Sequence, residues 1–401
     1  MSKKPLVYWA SPIEIASLKN TTKNMVTNNI VKTRLILDKI LDHINPGDKV
    51  GVKVHVGEAL NTHYLRHDYV REVVKTIKLK GGIPTLIETQ GRGMNVENIE
   101  IYEDYAICVG CRRTAPIHNK IANLHGYNES LIGAPLKFID GENGFDDKIV
   151  KIDGIQFNEV SVAGGLFDFD KLVVISHFKG HPFAGFGGAL KQLGIGCVTK
   201  RFKFLSHFES SLVVNLKKCN LSLCSQECVE ACPVNAIKIN SENAVINSQK
   251  CIGCYLCYKK CPVKKGIKTP KANEAKDFIE RFIDNAAAVL SFGPEKIRYI
   301  NFAFVVTLIC DCAPNPGMPV VPDLGIFGSS DPVAIDKACI DAEIKAPGLP
   351  ILKRNGEWSE PLSPGVEKFY AMLQIADHSW VFDAAVKNNI GSIDYDLIQI
   401  Q

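Results

Sequence analysis

The stretch DKVGVKVHVGEALNTHYLRHDYVREVVKTIKLKGGIPTLIET, residues 48–89, decides the fold. From Asp48 to Val56 the side chains alternate as in a strand. Asp68 then opens a helical pattern with Val70, Val73, Val74 and Ile77 on one face, and Gly81-Gly82 closes it. Ile83 to Thr89 reads as the next strand, so the three segments form a βαβ unit with a right-handed crossover. Further short signals follow, with strands expected at Pro135–Asp140 and at Lys171–Ser176, the latter running into a glycine-rich loop.

Between about Lys217 and Thr269 the composition changes to cysteine, lysine and short turns. Beyond it, regular α/β signals resume. Ala272 to Leu290 is a long amphipathic helix and Ile297 to Ile309 a buried strand. At Asp331-Pro332 a helix starts, with the aspartate as N-cap and the proline as first helical residue. The expected architecture is a layered α/β body in two parts, residues 1–216 and 271–401, interrupted by a small α+β domain at 217–270.

With 401 residues, 46% of them hydrophobic, the chain can bury a substantial core in two or three domains. A net charge of +4 is too small to imply a nucleic-acid or membrane partner. No apolar run is long enough to cross a bilayer; the longest, Tyr299 to Cys310, contains Asn301. Pro12 and Glu14 interrupt the N-terminal region, so no signal peptide is expected and the compartment should be the reducing cytoplasm. Fourteen cysteines there point to metal rather than disulfides, and eight of them fall within one 43-residue window.

Within that window the second set reads Cys251-x2-Cys254-x2-Cys257-x3-Cys261-Pro262. Such spacing lets three thiolates of one loop grip a single iron–sulfur cube, while the fourth cysteine turns away to another cluster. A structural zinc site has no use for the run. The first set, Cys219-x4-Cys224-x3-Cys228-x3-Cys232-Pro233, is looser. Pairing by the two-cluster rule assigns Cys219, Cys224, Cys228 and Cys261 to cluster one, and Cys251, Cys254, Cys257 and Cys232 to cluster two. Both are expected to be [4Fe–4S], with [3Fe–4S] the alternative at the first. Pro233-Val-Asn-Ala-Ile237 and its counterpart after Cys261 resemble the pseudo-repeated halves of a bacterial two-cluster ferredoxin. Seven lysines between Lys259 and Lys276 either offset the clusters' negative charge or form a docking patch for an acidic, ferredoxin- or flavodoxin-like redox partner.

The run SHFKGHPFAGFGGALKQLGIG, Ser176 to Gly196, has neither Walker nor dinucleotide-binding spacing. Glycines at this density still imply close backbone approach to a ligand or to another element, with Gly185, Gly187 and Gly188 as the binding candidates. His181 and Lys191 stand in the same run.

These residues carry a resemblance. VGVKVHVGE, YLRHDYVREVVKTIK, the glycine loop, the cysteine sets and CDCAPNPGMPVVPDLGIFGSSDPVAIDKACID together resemble the iron–sulfur branch of the family called domain of unknown function 362, over Lys49 to Gln401. The family implies an architecture and cofactors but no reaction. HPFAGFGGALK is also similar to the catalytic loop of lactate racemase, a nickel-pincer enzyme. That similarity implies His181 as acid/base, Lys191 as cofactor tether and His207 as metal ligand, with an additional metal or organic cofactor. The racemase's second acid/base histidine should follow the Ile83–Glu88 strand, where this chain has Thr89, Gln90 and Arg92.

Three weaker constellations remain. His55, Glu58, His63 and His67 follow the first strand and could line the same cleft. Cys310-Asp311-Cys312, with Asp323 and Asp336 downstream, would place both sulfurs on one strand face, giving a third metal site, a redox pair or inert thiols. Cys108 and Cys111 stay unassigned. The functional expectation is an iron–sulfur oxidoreductase whose clusters feed a small-molecule cleft at the glycine-rich loop. A ferredoxin-type carrier without its own substrate and a metal- or pincer-cofactor enzyme with accessory clusters are the alternatives.

Overall fold

In the computed structural model of the protein, residues 4–12, 28–92, 112–353 and 355–400 are described, with the backbone alone of 99–102 and 105–107. The strands of the main sheet are β1 (Leu6–Ala10), β2 (Lys49–Lys53), β3 (Ile83–Glu88), β4 (Leu136–Phe138), β5 (Lys171–His177), β6 (Ile297–Ala303), β7 (Gly325–Ser329) and β8 (Asp396–Gln399). They lie in the order β8-β1-β7-β6-β5-β2-β3-β4. From β6 through β4 all neighbours are parallel. β7 runs antiparallel to both its neighbours, and β8 parallel to β1.

The helices that matter here are α1 (Asn29–Ile40), α2 (His67–Leu79), α3 (Ala189–Gly194), α4 (Lys200–His207), α5 (Ala275–Leu290) and α6 (Pro332–Lys345). Both faces of the sheet are covered, as a parallel sheet requires. Val173, Ile175, Ile300 and Phe302 face α1 and α2, while their strand neighbours Leu172, Val174, Ile297 and Tyr299 face α3, α5 and α6. The unit β2–α2–β3 is the expected one. Asp331 caps α6 by accepting from the backbone N–H groups of Val333 and Ala334, at 2.8 and 2.9 Å, with Pro332 next.

One element is shorter than its composition suggests. The strand expected over Ile297–Ile309 stops at Ala303, because Val305 takes a left-handed φ of 46° and gives its N–H to Asp323, 2.8 Å away. The chain then enters a loop, so Cys310 and Cys312 are not on a strand.

Within the cysteine-rich segment, Val213–Val214 pairs antiparallel with Ile267–Lys268, so the chain enters and leaves side by side. A hairpin of Ile237–Ile239 and Ala244–Ile246 and a small core of Ile237, Tyr255 and Ile267 lie between them, and Phe204 of α4 and Phe208 just after it complete that core. Among the described residues no helix is long and apolar enough to cross a membrane.

α3 crosses α5 at Gly194, where a Cβ would run into the Phe282 carbonyl and where Asn285 donates to the Gly194 carbonyl at 3.0 Å. Neither helix can retreat, since both carry the core of that face. Gly194→Ala is therefore expected to cost about 3 kcal/mol, measurable as a lowered urea midpoint with unchanged m-value.

Candidate functional site

The parallel strands end together, and their carboxyl edge carries a cavity of about 390 Å³. This is where open α/β sheets bind ligands. Lys53 ends β2, Glu88 ends β3 and His177 ends β5, while the loop after β6 brings Cys310, Asp311 and Cys312. α3 supplies Lys191 and Gln192, and α4 supplies Lys203 and His207.

Its floor is a largely buried ionic network. Lys53 Nζ lies 2.8 Å from Glu88 Oε1 and donates to Gln192 Oε1 at 2.9 Å. Glu88 Oε2 is 3.2 Å from His55 Nδ1, and Arg112 Nε is 3.2 Å from Glu58 Oε2. Burial alone would raise Glu88; the Lys53 charge and the His55 hydrogen bond hold it well below the usual carboxylate range instead. Asp311 accepts from Lys179 Nζ and His177 Nδ1, both at 2.7 Å, which holds its carboxyl low against the same burial.

The charges do not balance at the cavity wall. Glu88, Glu58 and Asp311 are each matched by a cation. Arg92 and Lys191 have no carboxylate within ion-pair distance among the described residues, and Lys203 has only Asp140, at 3.9 Å. Lys203 donates instead to Thr89 Oγ1 and the Gln90 carbonyl, both at 2.6 Å. The wall presents surplus positive charge in a partly dry space, which favours an anion.

Of the expected site residues, His181, Lys191 and His207 all line this cavity, and so do Gly187, Gly188, His55 and Glu58. The histidines have opposite tautomers. His181 Nδ1 accepts from the N–H groups of Phe183 and Ala184, at 3.2 and 3.0 Å, so the neutral ring carries its proton on Nε2. His207 Nδ1 donates to the Lys203 carbonyl at 2.7 Å, so its Nε2 keeps a lone pair. Burial, aided by Lys191 near His181 and Arg92 near His207, pushes both well below the ordinary histidine range.

Gly185 stands apart from its neighbours. It closes the hairpin of Lys179–His181 with Gly185–Gly187, has a φ of 71°, and packs against the His378 backbone rather than the cavity. His63 and His67 also fall outside the lining. Thr89, Gln90 and Arg92 line it without contributing a histidine. Asp336 lies behind the loop, accepting from Ala189 and Leu190 N–H at 2.8 and 2.9 Å, where a Cβ on Gly188 would strike it. Lys53, Glu88, Arg112 and Lys203 were not expected. For Lys53, Glu88 and Lys203 the signal is a charged side chain within an otherwise apolar buried segment.

The two cysteine quartets gather separately. Around Cys228 stand Cys261, Cys224 and Cys219, and these four line one small void. Around Cys257 stand Cys254, Cys251 and Cys232. Backbone amides point at the sulfurs, as Ala236 N–H does at Cys232 Sγ, 3.2 Å away. Gln226 and Tyr255, each two residues before a cysteine, share the left-handed conformation that starts a short helix, so the looser first set repeats the backbone device of the second. A tetrahedral zinc would draw four sulfurs to within about 3.8 Å of one another. Among the described residues, the one group of three or more metal-binding side chains that closes within 4.8 Å is His181, Cys310 and Cys312, not either quartet. Cys108 and Cys111 lie outside the described residues.

The second set packs on the helix that carries Lys203 and His207. A Cβ at Gly253 would strike the Phe204 ring, and the rings of Tyr255 and Phe204 lie 5.7 Å apart. Phe204 is on α4, between Lys203 and His207.

A family model described as "Domain of unknown function (DUF362)" matches residues 50–341. Among solved structures, the lactate racemase apoprotein from Thermoanaerobacterium thermosaccharolyticum is 11% identical, over 84% of this chain and 56% of that one, with a TM-score of 0.40. A structural-genomics protein from Thermotoga maritima is also 11% identical, over 68% and 50%, with a TM-score of 0.34. Among curated relatives, translation initiation factor RLI1 from Chaetomium thermophilum is 42% identical over 57 residues, 12% of this chain and 9% of that protein. ABC transporter E family member 1 from Arabidopsis thaliana is 35% identical over 79 residues, 18% and 13% respectively. The chain thus covers about an eighth or less of these curated relatives and about half of the solved structures.

Burial, only partly offset by Asp140, lowers Lys203 to about 8, so its charge is present below that pH and lost above it. Sulfate binding, followed by calorimetry, is expected to weaken by up to about tenfold per pH unit above pH 8. In Lys203→Met this inflection should vanish.

Proposed function

Because the chain belongs to the DUF362 family, whose description names no reaction, we propose a function from the site: an iron–sulfur oxidoreductase that reduces or oxidises a small anionic molecule in the strand-end cavity. Two [4Fe–4S] clusters, held by Cys219, Cys224, Cys228 and Cys261 and by Cys232, Cys251, Cys254 and Cys257, supply the one-electron chemistry. The observation that carries this reading is the seating of the Cys251–Cys257 loop on Phe204. The helix that receives it also lines the cavity with Lys203 and His207, so the second quartet is joined to the cavity by a single helix.

Each side chain has a role in this reading. Lys203, Arg92 and Lys191 attract and orient the anion, His181 offers an N–H to it, and His207 offers a lone pair. Exposed Lys259, Lys260, Lys264, Lys265, Lys268, Lys271 and Lys276 form a basic surface beside the quartets that suits an acidic, ferredoxin- or flavodoxin-like partner in the cytoplasm. A pure carrier would have no use for a charged cavity behind its clusters. One observation favours a second reading, a metal- or pincer-cofactor enzyme with accessory clusters: His207 Nε2 is free to ligate and Lys191 faces the same space. An intact-mass adduct on Lys191, or nickel at one per chain, would establish it.

Anaerobically purified protein should contain about eight iron and eight sulfide per chain, and about four of each after Cys254→Ser. Iron near one per chain would sink the reading. Electron delivery from an acidic flavodoxin should slow steeply between low and physiological ionic strength, while delivery from a neutral viologen should not.

A further inference from the structure

Cys310 and Cys312 meet on the cavity wall by way of a turn. The Ala313 N–H bonds back to the Cys310 carbonyl at 3.2 Å, which folds the two side chains to the same side. Their sulfurs lie within 4.8 Å of each other. Cys310 Sγ also receives the Cys312 backbone N–H at 3.3 Å and faces Lys191 Nζ at 3.4 Å. Both sulfurs and a nitrogen of His181 lie within 4.8 Å of one another.

Two features argue against a metal ion there. His181 Nδ1 is occupied by two backbone N–H groups, so Nε2 holds the ring's only proton and has no lone pair for a metal. The Lys191 ammonium stands where it would repel a cation. What the surroundings do suit is a thiolate. Cys310 has a backbone N–H and an ammonium directed at it, and the neighbouring Cys312 thiol together with Lys191 holds it well below the usual thiol range. The buried thiols Cys197 and Cys339 show the contrast: burial pushes Cys197 up to about 11 and Cys339 well above the usual thiol range, and neither lines the cavity.

We propose that Cys310 and Cys312 are a redox-active dithiol–disulfide pair, through which electrons pass between the cysteine-rich insert and the anionic substrate. This rests on the oxidoreductase reading above. In the oxidised form an S–S bond joins the two residues across the turn. Breaking it takes two electrons, one from each singly reduced [4Fe–4S] cluster, and one proton from water in the cavity. Cys310 leaves as a thiolate facing Lys191, and Cys312 becomes the thiol. Re-forming the bond returns two electrons to a two-electron acceptor and releases the proton. The pair thus converts one-electron input into a two-electron output, which two clusters match in number.

The test is differential alkylation of the holoprotein under argon, with peptide mass spectrometry. After ferricyanide oxidation the peptide with Cys310 and Cys312 should be unlabelled and lighter by two hydrogens, while Cys197 is labelled as before. Reduced methyl viologen should restore two labels, at least about tenfold more slowly in Cys254→Ser. Oxidised and reduced dithiothreitol should interconvert the same two states without any cluster. Two labels after every oxidation would overturn the pair, and so would one zinc per chain that is lost in Cys312→Ser. If dithiothreitol cycles the pair but viologen does so equally in Cys254→Ser, the disulfide stands and electron delivery through the clusters falls. In Cys312→Ser, Cys310 should label rapidly in both states, which also shows that the loop is intact.

Discussion

A lysine and a glutamate at the ends of adjacent parallel strands, both nearly inaccessible to water, hold this site together. Lys53 and Glu88 lie side by side where β2 and β3 finish, with Lys53 in register with Ile87. Removing either partner would leave the other charge buried and uncompensated, a loss of about 3–5 kcal/mol. The pair does more than stabilise. Lys53 ties Gln192 of α3 to the sheet, and Glu88 fixes His55 and caps the Thr89 N–H at 2.9 Å. Through these contacts the glycine loop, the turn after β3 and the turn after β2 share one anchor.

The second dependency runs through α4. Its residues divide by helical spacing: Lys203 and His207, four apart, look into the cavity, while Phe204, with Phe208 just past the helix end, enters the core of the cysteine-rich segment. Phe202 joins the core of the body. A short helix thus belongs to three environments at once, and the insert cannot shift without moving the cavity wall. This coupling is structural and needs no motion to operate.

Much of the body was legible because period and punctuation agree there. The β2–α2–β3 unit followed from alternation, a helical stripe and a glycine pair, and α6 from its aspartate–proline start. The cavity was only half legible. His181, Lys191 and His207 stood out in a glycine-rich setting, but Lys53 and Glu88 looked like the polar half of ordinary strands. Their importance comes from burial: β2 lies between β3 and β5, and β5 joins it across more than a hundred residues of sequence. Gly185 misled for a related reason: density of glycine shows that something comes close, not whether it is a ligand or the backbone at His378. Cys310 and Cys312 were expected on one strand face. They do converge, though by a turn, since the strand had already ended at Ala303.

Tautomers were the part furthest from the sequence, and they narrow the chemistry most. The hairpin that carries His181 aims two of its own N–H groups at Nδ1, while the helix that carries His207 offers that nitrogen a carbonyl. Backbone geometry alone therefore makes one ring a donor and the other an acceptor toward the same space. Protonating His181 would require Nδ1 to give up both amide bonds, and burial opposes it further. The donor role needs no proton transfer, so His181 serves better to polarise or orient a bound group than to shuttle protons. Proton exchange then falls to groups with an open lone pair or a labile hydrogen, such as His207, Lys203 and the thiol pair.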